Sequence, residues 1–236
     1  MPTPAALIRL SPTTGLNLFN DCQRCFWLQY HENIARPRGI FPSLPGGMDW
    51  VIKKYFDRYR GGLPPELAGH VDGTLIADQG LLSRWRNWQT GLEYRDSGRN
   101  AVLFGALDDC LVNDSGEHVP LDYKTRGSAP RLGDSERYYQ TQLDTYALLL
   151  VSNGYPTADY AYLVYYYPES AGEHGSVKFS VQPVRLLVDR MRVQQLFESA
   201  VDLLAGPLPA MSRSCAYCSW FAKRSHLSNS TDAAAG

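Results

Sequence analysis

The sequence of 236 residues predicts a single α/β domain in which a mixed sheet is flanked by helices. Two β-rich runs, residues 102–112 and 118–124, are separated by turn-forming residues, which predicts a hairpin. Helical periodicity then follows at residues 136–151, and a further strand pattern at residues 160–167. Strands that alternate with helices in this way are typical of a sheet covered by helices.

The N-terminal part of the chain predicts two helices. Residues 18–30 are rich in aromatic side chains, and the segment 35–47 that follows is interrupted by proline and glycine. In residues 48–59, apolar side chains recur at helical spacing, which predicts an amphipathic helix. Its charged side chains mostly fall outside the apolar stripe, and most are predicted to be solvated. They are Asp49, Lys53, Lys54, Asp57 and Arg58.

The remaining elements complete the predicted sheet. A helix pattern at residues 81–88 precedes the hairpin, whose turn is Asn113-Asp114-Ser115-Gly116. Residues 177–184 predict another strand and residues 187–204 a final amphipathic helix. Residues 227–236 are small and polar, which predicts a disordered tail.

Composition limits the classes of function. The net charge of -1 predicts no global positive field, so any nucleic-acid binding requires a local basic patch. No apolar run is long enough to span a membrane and the first residues do not resemble a signal peptide, which predicts a cytoplasmic protein without a membrane partner. Five cysteines in such a chain indicate a metal site or buried thiols rather than a disulfide framework.

Carboxylates and a lysine cluster in the predicted hairpin. Asp122 and Lys124 are two residues apart in a strand, so both side chains leave the same face. Asp108 and Asp109 lie in an otherwise apolar run, where ionised groups are costly unless they are paired or bind a metal. Hard ions such as Mg2+ bind carboxylates, carbonyls and water. Alternatively, Lys124 forms only an ion pair with Asp122, and Asp108 or Asp109 caps the hairpin.

The order of these residues resembles the RecB-like branch of the PD-(D/E)XK nucleases. That pattern runs Gly-x-x-Asp, then Asp-x-Lys on the next strand, then Gln-x-x-x-Tyr on a helix. Here it corresponds to Gly105 with Asp108, Asp122 with Lys124, and Gln142 with Tyr146. The resemblance spans roughly residues 18–218 and implies a restriction-endonuclease-like fold.

The resemblance also implies roles for these residues. Asp108 and Asp122, with the backbone carbonyl of Tyr123, would bind Mg2+ or Mn2+; Asp109 is the second choice to Asp108. Lys124 would act on the attacking water, while Gln142 and Tyr146 would order the site and the nucleic acid. The family usually adds a His or Glu from an earlier helix. No His stands in residues 46–59, so Asp49 is the candidate and Asp57 the runner-up.

Two Cys-x-x-Cys pairs near the ends of the chain form a second constellation. Cys22 with Cys25 and Cys215 with Cys218 supply four thiolates, which suit either structural zinc or an iron-sulfur cluster. Each pair is alternatively a separate redox-active disulfide or inert. Cys110 stands alone in an apolar run and is predicted to be a buried thiol.

The iron-sulfur members of the RecB-like branch have one cysteine before the nuclease core and three after it. Cys22, Cys215 and Cys218 match that pattern, while Arg224 stands where the last cysteine would fall, so Cys25 would supply the fourth thiolate. This resemblance favours a 4Fe-4S cluster over the alternative, Zn2+. Either centre would join residues 1–45 and 205–226 into a terminal subregion with a structural role.

The resemblance implies cleavage of DNA in repair, recombination or CRISPR adaptation, with single-strand exonuclease activity as the first expectation. The expected partners are DNA that is single-stranded or has single-stranded ends, and recombination, helicase or CRISPR-adaptation proteins. Cations and aromatic residues in segment 211–226 suit base stacking along a single strand, or else pack around the metal site. Competing readings are a noncatalytic nucleic-acid-binding module and a thiol oxidoreductase.

Overall fold

The computed structural model describes residues 7–37, 39, 43–89 and 91–232, with side chains described through residue 224. Within these ranges the helices are α1 (Asn17–Asp21), α2 (Gln23–His31), α3 (Ser43–Phe56), α4 (Gln79–Arg86), α5 (Asp134–Ser152), α6 (Arg190–Leu204) and α7 (Ala216–Asp232). The strands are β1 (Ile8–Leu10), β2 (Thr74–Leu75), β3 (Leu92–Asp96), β4 (Ala101–Gly105), β5 (Asp109–Val112), β6 (His118–Thr125), β7 (Tyr160–Ala171) and β8 (Val177–Leu187).

A mixed sheet of five strands forms the centre of the fold. Its strand order is β2-β5-β6-β7-β8, in which β6 and β7 are parallel and the other neighbours are antiparallel. A smaller sheet has the order β1-β4-β3, with β1 parallel to β4. Helices pack on these sheets, so the predicted α/β class with a mixed sheet flanked by helices is confirmed.

The predicted hairpin is present between β5 and β6. Asn113 Oδ1 accepts hydrogen bonds from the backbone amides of Ser115 (3.1 Å) and Glu117 (2.9 Å), and Gly116 adopts a φ of 76°, which favours glycine. The prediction of one continuous strand over residues 102–112 is wrong. Residues 106–108 leave the strand conformation between β4 and β5, and the amide of Leu107 donates instead to the carbonyl of Trp85 (3.0 Å).

Helix α5 is buried against both sheets and includes the predicted helix of residues 136–151. Its buried stretch runs from Gln142 to Leu150 without an exposed position, so it carries more than one apolar stripe. Gly105 at the end of β4 allows the close approach of this helix. A Cβ at Gly105 would lie 2.9 Å from Leu149 Cδ1 and 3.4 Å from a ring carbon of Tyr146. The glycine therefore brings the β4–β5 junction next to the helix that carries Gln142.

The N-terminal helices differ from the prediction in their bounds. Residues 18–30 form two helices rather than one, because Cys22 between them is extended (φ -162°, ψ 107°). Helix α3 begins at Ser43 rather than at residue 48 and ends in a 3-10 turn at Asp57–Tyr59. Its buried Phe56 contacts the ring of Tyr123, with 4.6 Å between the ring centroids. This contact fixes α3 against β6.

Several elements were not predicted. Strands β1 and β3 were missed, as was the two-residue β2. Helix α7 continues to Asp232, across part of the segment 227–236 for which the sequence predicts disorder, and residues 233–236 lie outside the described residues. None of the helices in the described ranges combines the length and apolar character that crossing a bilayer requires.

Candidate active site and thiolate site

Strand β6 presents Asp122 and Lys124 on one face of the central sheet. The Asp122 side chain is fully buried, and the Lys124 side chain retains 17% of its surface. The Lys124 ammonium contacts Asp122 Oδ2 directly. Alternate residues of a strand point to opposite faces, so Tyr123 directs its ring to the other side while its backbone carbonyl stays between the two charged residues.

Helix α5 holds this pair through Gln142. Its Nε2 donates to Asp122 Oδ1 (3.0 Å) and to the Tyr146 hydroxyl (2.6 Å), while its Oε1 accepts from Lys124 Nζ (3.1 Å). Gln142 and Tyr146 are separated by four residues and share one helix face. A single side-chain amide thus restrains the carboxylate and the ammonium together.

Asp108 and Asp49 lie on either side of a second ammonium group. Lys53 Nζ is 2.7 Å from Asp108 Oδ1 and 2.8 Å from Asp49 Oδ2. Asp108 stands at the end of the irregular segment before β5, and its side chain is 22% exposed. Asp49 and Lys53 are one turn apart on α3, so this helix supplies both a carboxylate and an ammonium group to the cluster.

The electrostatics connect Asp108 with the β6 pair. Burial raises the pKa of Asp122 to about 7, against the lowering effect of Lys124 and with a further rise from the Asp108 carboxylate. Burial alone would lower the pKa of Lys124, but Asp122 and Asp108 more than offset that effect, and the pKa lies above its ordinary value. Asp108, Asp122 and Lys124 therefore act on one another as members of a single cluster.

Asp109 points to the opposite side and is fully buried. Arg60 binds both of its carboxylate oxygens at 2.6 Å, Arg86 adds a contact at 3.2 Å, and the Tyr123 hydroxyl donates to Oδ2. A carboxylate with this many donors is a structural partner of arginine. The structure thus brings Asp108, and not Asp109, to the face of Asp122.

Asp57 belongs to the same arginine network as Asp109. Arg86 Nη1 lies 2.9 Å from Asp57 Oδ1, and Arg60 Nη2 lies 3.3 Å from it. Arg86 Nε also donates to the backbone carbonyl of Asp108 at 2.7 Å, which anchors the irregular segment from behind. Of the two residues predicted as a metal ligand from this helix, Asp49 therefore lies beside Asp108, whereas Asp57 lies beside the arginines.

Sequence reasoning missed three residues around this cluster. Lys53 belongs to a set of charged residues most of which were predicted to be solvated, but its side chain is only 23% exposed and contacts two carboxylates. Its separation of four residues from Asp49 was the available signal. Arg60 and Arg86 gave no local signal, because their partner Asp109 is 49 and 23 residues away along the chain.

The two Cys-x-x-Cys pairs converge, as the sequence predicts. Cys22 Sγ lies 3.7 Å from Cys218 Sγ, Cys25 Sγ lies 3.7 Å from Cys215 Sγ, and all four sulfurs lie within 4.8 Å of one another. All four side chains are buried. The extended backbone at Cys22 separates α1 from α2 and places this thiol beside the start of α7. The site therefore joins the N-terminal and C-terminal segments, as predicted.

The surroundings of the four thiols favour ionisation of one of them. Burial disfavours the Cys215 thiolate, but hydrogen bonds from the backbone of Cys218 and Tyr217 and from neighbouring thiols lower its pKa to about 7. Burial raises the pKa of Cys25 to about 12. Arg36 donates to Cys215 Sγ at 3.3 Å. The fifth cysteine, Cys110, is buried in a different core cluster, as predicted, and donates to the carbonyl of Leu111.

Aromatic side chains beside the thiolate site face solvent. Tyr217, Trp220 and Phe221 are 43%, 60% and 53% exposed, and the Arg36 guanidinium lies 4.6 Å from the centroid of the Tyr217 ring. These rings therefore do not pack as a core around the sulfurs. The predicted stacking surface includes His226, whose side chain lies outside the described residues.

Comparison with known proteins identifies a family for most of the chain. The sequence model described as the PD-(D/E)XK nuclease superfamily matches residues 52–222, which include the β6 pair, Asp108, Gln142 and Tyr146. No curated protein matches the chain. A solved structure, the crystal structure of SSO0001, aligns at 16% identity over 88% of this chain and 82% of that chain, with a TM-score of 0.44.

Proposed function

Because the chain belongs to the PD-(D/E)XK nuclease superfamily, we propose that it is a metal-dependent deoxyribonuclease that hydrolyses phosphodiester bonds. The observation that carries this proposal is the convergence of Asp108, Asp122 and Lys124 in one charged cluster restrained by Gln142. A noncatalytic nucleic-acid-binding module would have no need of this buried and costly arrangement.

The donor set fits a hard divalent ion. Asp122 Oδ2 is buried, and the group it contacts in the described part of the chain is the Lys124 ammonium, a cation. Asp108, Asp122 and the carbonyl of Tyr123 would hold Mg2+ or Mn2+, with Asp49 as the candidate from α3. When bound, the ion would lower the pKa of a water molecule and stabilise charge on the phosphodiester.

The protein side chains would orient the reacting groups. Lys124 Nζ, held by Gln142 Oε1 at 3.1 Å, would act on the attacking water beside Asp122. Gln142 would hold the side chains of Asp122 and Lys124 in position, and the Tyr146 hydroxyl would hold Gln142 from the next turn of α5. Arg86, which binds the Asp108 carbonyl, would hold the strand junction so that the Asp108 carboxylate stays on the reactive face.

The finer assignment within the superfamily is the RecB-like branch, with single-strand exonuclease activity in repair, recombination or CRISPR adaptation. The order of Gly105, Asp108, Asp122, Lys124, Gln142 and Tyr146 supports the branch. A single nuclease domain would then carry a terminal subregion of residues 1–45 and 205–226. Helicase, recombination or CRISPR-adaptation proteins would be its partners, in the cytoplasm.

The DNA would be single-stranded or have single-stranded ends. The exposed Tyr217, Trp220 and Phe221 offer faces on which bases can stack. Arg213 and Lys223 in the same segment are exposed and can neutralise phosphates. The net charge of -1 makes such a local positive surface necessary for binding.

The four thiolates would hold a structural metal centre. Sulfurs within 4.8 Å of one another, two pairs of them at 3.7 Å, support one tetrahedral Zn2+, since a Zn–S bond of about 2.3 Å separates the ligands by about 3.8 Å. The resemblance instead favours a 4Fe-4S cluster, in which each thiolate binds a different iron and the sulfurs must stand farther apart. Anaerobic purification with metal analysis and visible absorption distinguishes the two.

A nuclease assay tests the proposed function directly. Purified protein is given single-stranded or double-stranded DNA labelled at one end, with Mg2+, Mn2+ or excess chelator. We expect metal-dependent release of short products from single-stranded DNA and none with Asp122→Asn. Binding of the same DNA without cleavage under any metal condition would instead identify a noncatalytic binding module.

A further inference from the structure

Lys53 occupies the position between two carboxylates where a cation would be expected. Its ammonium lies 2.7 Å from Asp108 Oδ1 and 2.8 Å from Asp49 Oδ2, and burial leaves its side chain 23% exposed. The next residue, Lys54, makes a different contact, with its ammonium 3.6 Å from the centroid of the Trp50 ring. The position of Lys53 is therefore specific to one face of α3.

The charges around the cluster are nearly balanced without two metal ions. Asp49, Asp108 and Asp122 provide three formal negative charges, while Lys53 and Lys124 provide two positive ones. One divalent ion would reverse the sign of this sum, and a second would place several positive charges within a few ångströms of one another. Arg60 and Arg86 lie behind the sheet and are paired with Asp109 and Asp57, so they leave this sum unchanged.

The ammonium of Lys53 is also well held. Asp49 is one turn before it on the same helix, so their contact requires little additional ordering once α3 has formed. The contact with Asp108 joins α3 to the β4–β5 junction across 55 residues of sequence. A second metal ion between Asp49 and Asp108 would have to displace this tethered cation.

We propose that Lys53 serves as a built-in cation in place of a second metal ion, so that the site binds one divalent ion, at Asp108 and Asp122. In this arrangement Asp49, the candidate ligand from α3, is reassigned: it positions Lys53 and does not itself bind the ion. Lys53 neutralises the Asp108 oxygen that faces α3 and leaves the rest of the carboxylate to the ion. This inference rests on the proposed function, because it concerns the same metal-binding cluster.

Metal stoichiometry tests the inference without measuring cleavage. Mn2+ is titrated into the full-length protein by calorimetry and by electron paramagnetic resonance, for the unmodified chain and for Lys53→Met, Lys53→Arg and Lys54→Met. Manganese suits the oxygen ligands of this cluster and not the soft thiolates of the cysteine site. Asp122→Asn shows whether the bound Mn2+ lies at the carboxylate cluster, since this variant should lose it.

We expect one Mn2+ in the unmodified chain, in Lys53→Arg and in Lys54→Met. In Lys53→Met we expect a second Mn2+, or binding of the first ion that is at least about tenfold tighter, because the competing positive charge is gone. Two ions in the unmodified chain would overturn the inference and leave the proposed function intact. So would a Lys53→Met variant that binds one ion with unchanged affinity.

The test does not depend on the stability of one variant. If Lys53→Met fails to fold, two ions in the unmodified chain still overturn the inference, and one ion in both the unmodified chain and Lys53→Arg supports it. Absence of Mn2+ binding in the unmodified chain would overturn the inference together with the proposed metal-dependent nuclease. Asp49→Asn should still bind one ion; loss of the ion in that variant would make Asp49 a ligand and contradict the assigned role of Lys53.

Discussion

Asp108 and Asp109 are adjacent in the chain but their carboxylates serve opposite sides of the sheet. Asp108 faces Lys53 at 2.7 Å and is 22% exposed, whereas Asp109 is fully buried and held by Arg60 through two contacts of 2.6 Å. The same chemical group is therefore left accessible at one position and enclosed at the next. This difference separates a candidate metal ligand from a structural anchor.

Substitution of each aspartate by asparagine should reveal this difference. Asp109→Asn removes the main counter-charge of the buried Arg60 and leaves it only the longer contact with Asp57, so we expect the free energy of unfolding to fall by about 3 kcal/mol. Asp108→Asn removes a partly exposed ion pair, so we expect a loss of about 1 kcal/mol or less. Urea denaturation followed by circular dichroism measures both values.

In metal binding and cleavage we expect the opposite order, with the larger loss in Asp108→Asn. We expect Asp108→Asn to fold but to lose Mn2+ binding and cleavage, because it lacks a charged ligand. Asp109→Asn, assayed at a temperature where it remains folded, should retain metal binding. If Asp109→Asn loses metal binding while its stability is unchanged, the two roles have been assigned the wrong way round.

Replacement of Lys124 by alanine should separate cleavage from DNA binding. Lys124 contacts Asp122 and Gln142 and lies beside the proposed metal ligands, whereas the exposed aromatic residues of α7 lie beside the thiolate site. We expect cleavage to fall by at least about a hundredfold, in the range of other residues that act on a reacting proton. Binding of single-stranded DNA, measured by fluorescence anisotropy, should change little, and Lys54→Ala is the matched control for loss of a lysine.

The central hairpin and the residues of the β6 cluster were predictable because their signals are local. Turn chemistry at Asn113 and Gly116 placed β5 and β6, and the two-residue spacing of Asp122 and Lys124 placed both side chains on one face. The spacing of the Cys-x-x-Cys pairs likewise indicated a shared site, and the four sulfurs do converge.

The remaining features depend on contacts between distant parts of the chain. Asp108 and Asp109 were predicted to continue one strand, because nothing local indicates that Leu107 bonds to Trp85. The resemblance already favours Asp108 over Asp109, but the physical reason lies in Arg60 and Arg86, which reach Asp109 from the turn after α3 and from α4. Tertiary contacts of this kind override local propensity and leave no periodic pattern in the sequence.

Substitution of Gly105 by alanine tests the packing of α5 against the β4–β5 junction. The added Cβ would lie 2.9 Å from Leu149 Cδ1, so the helix or the strand must shift. We expect the free energy of unfolding to fall by about 1–3 kcal/mol. We also expect cleavage to weaken, since the shift moves Gln142 away from Asp122.

Gly127→Ala is the matched control for this change. A Cβ at Gly127 meets no atom within 4 Å, and the backbone there does not require glycine. We expect its stability to change by no more than about 1 kcal/mol. Equal losses of stability in the two variants would contradict the close approach of α5 at Gly105.

Loss of one thiolate should release the metal of the terminal site without removing the ion of the carboxylate cluster. Cys218 and Cys22 are separated by 196 residues, so a metal centre closes a very long loop; by analogy with a disulfide we expect Cys218→Ser to cost about 4–5 kcal/mol. Metal content should fall in Cys218→Ser and remain complete in Cys110→Ala, because Cys110 lies in a different core cluster. Elemental analysis and thermal unfolding measure these effects. Undiminished zinc or iron in Cys218→Ser would show that the four convergent sulfurs do not form one metal site.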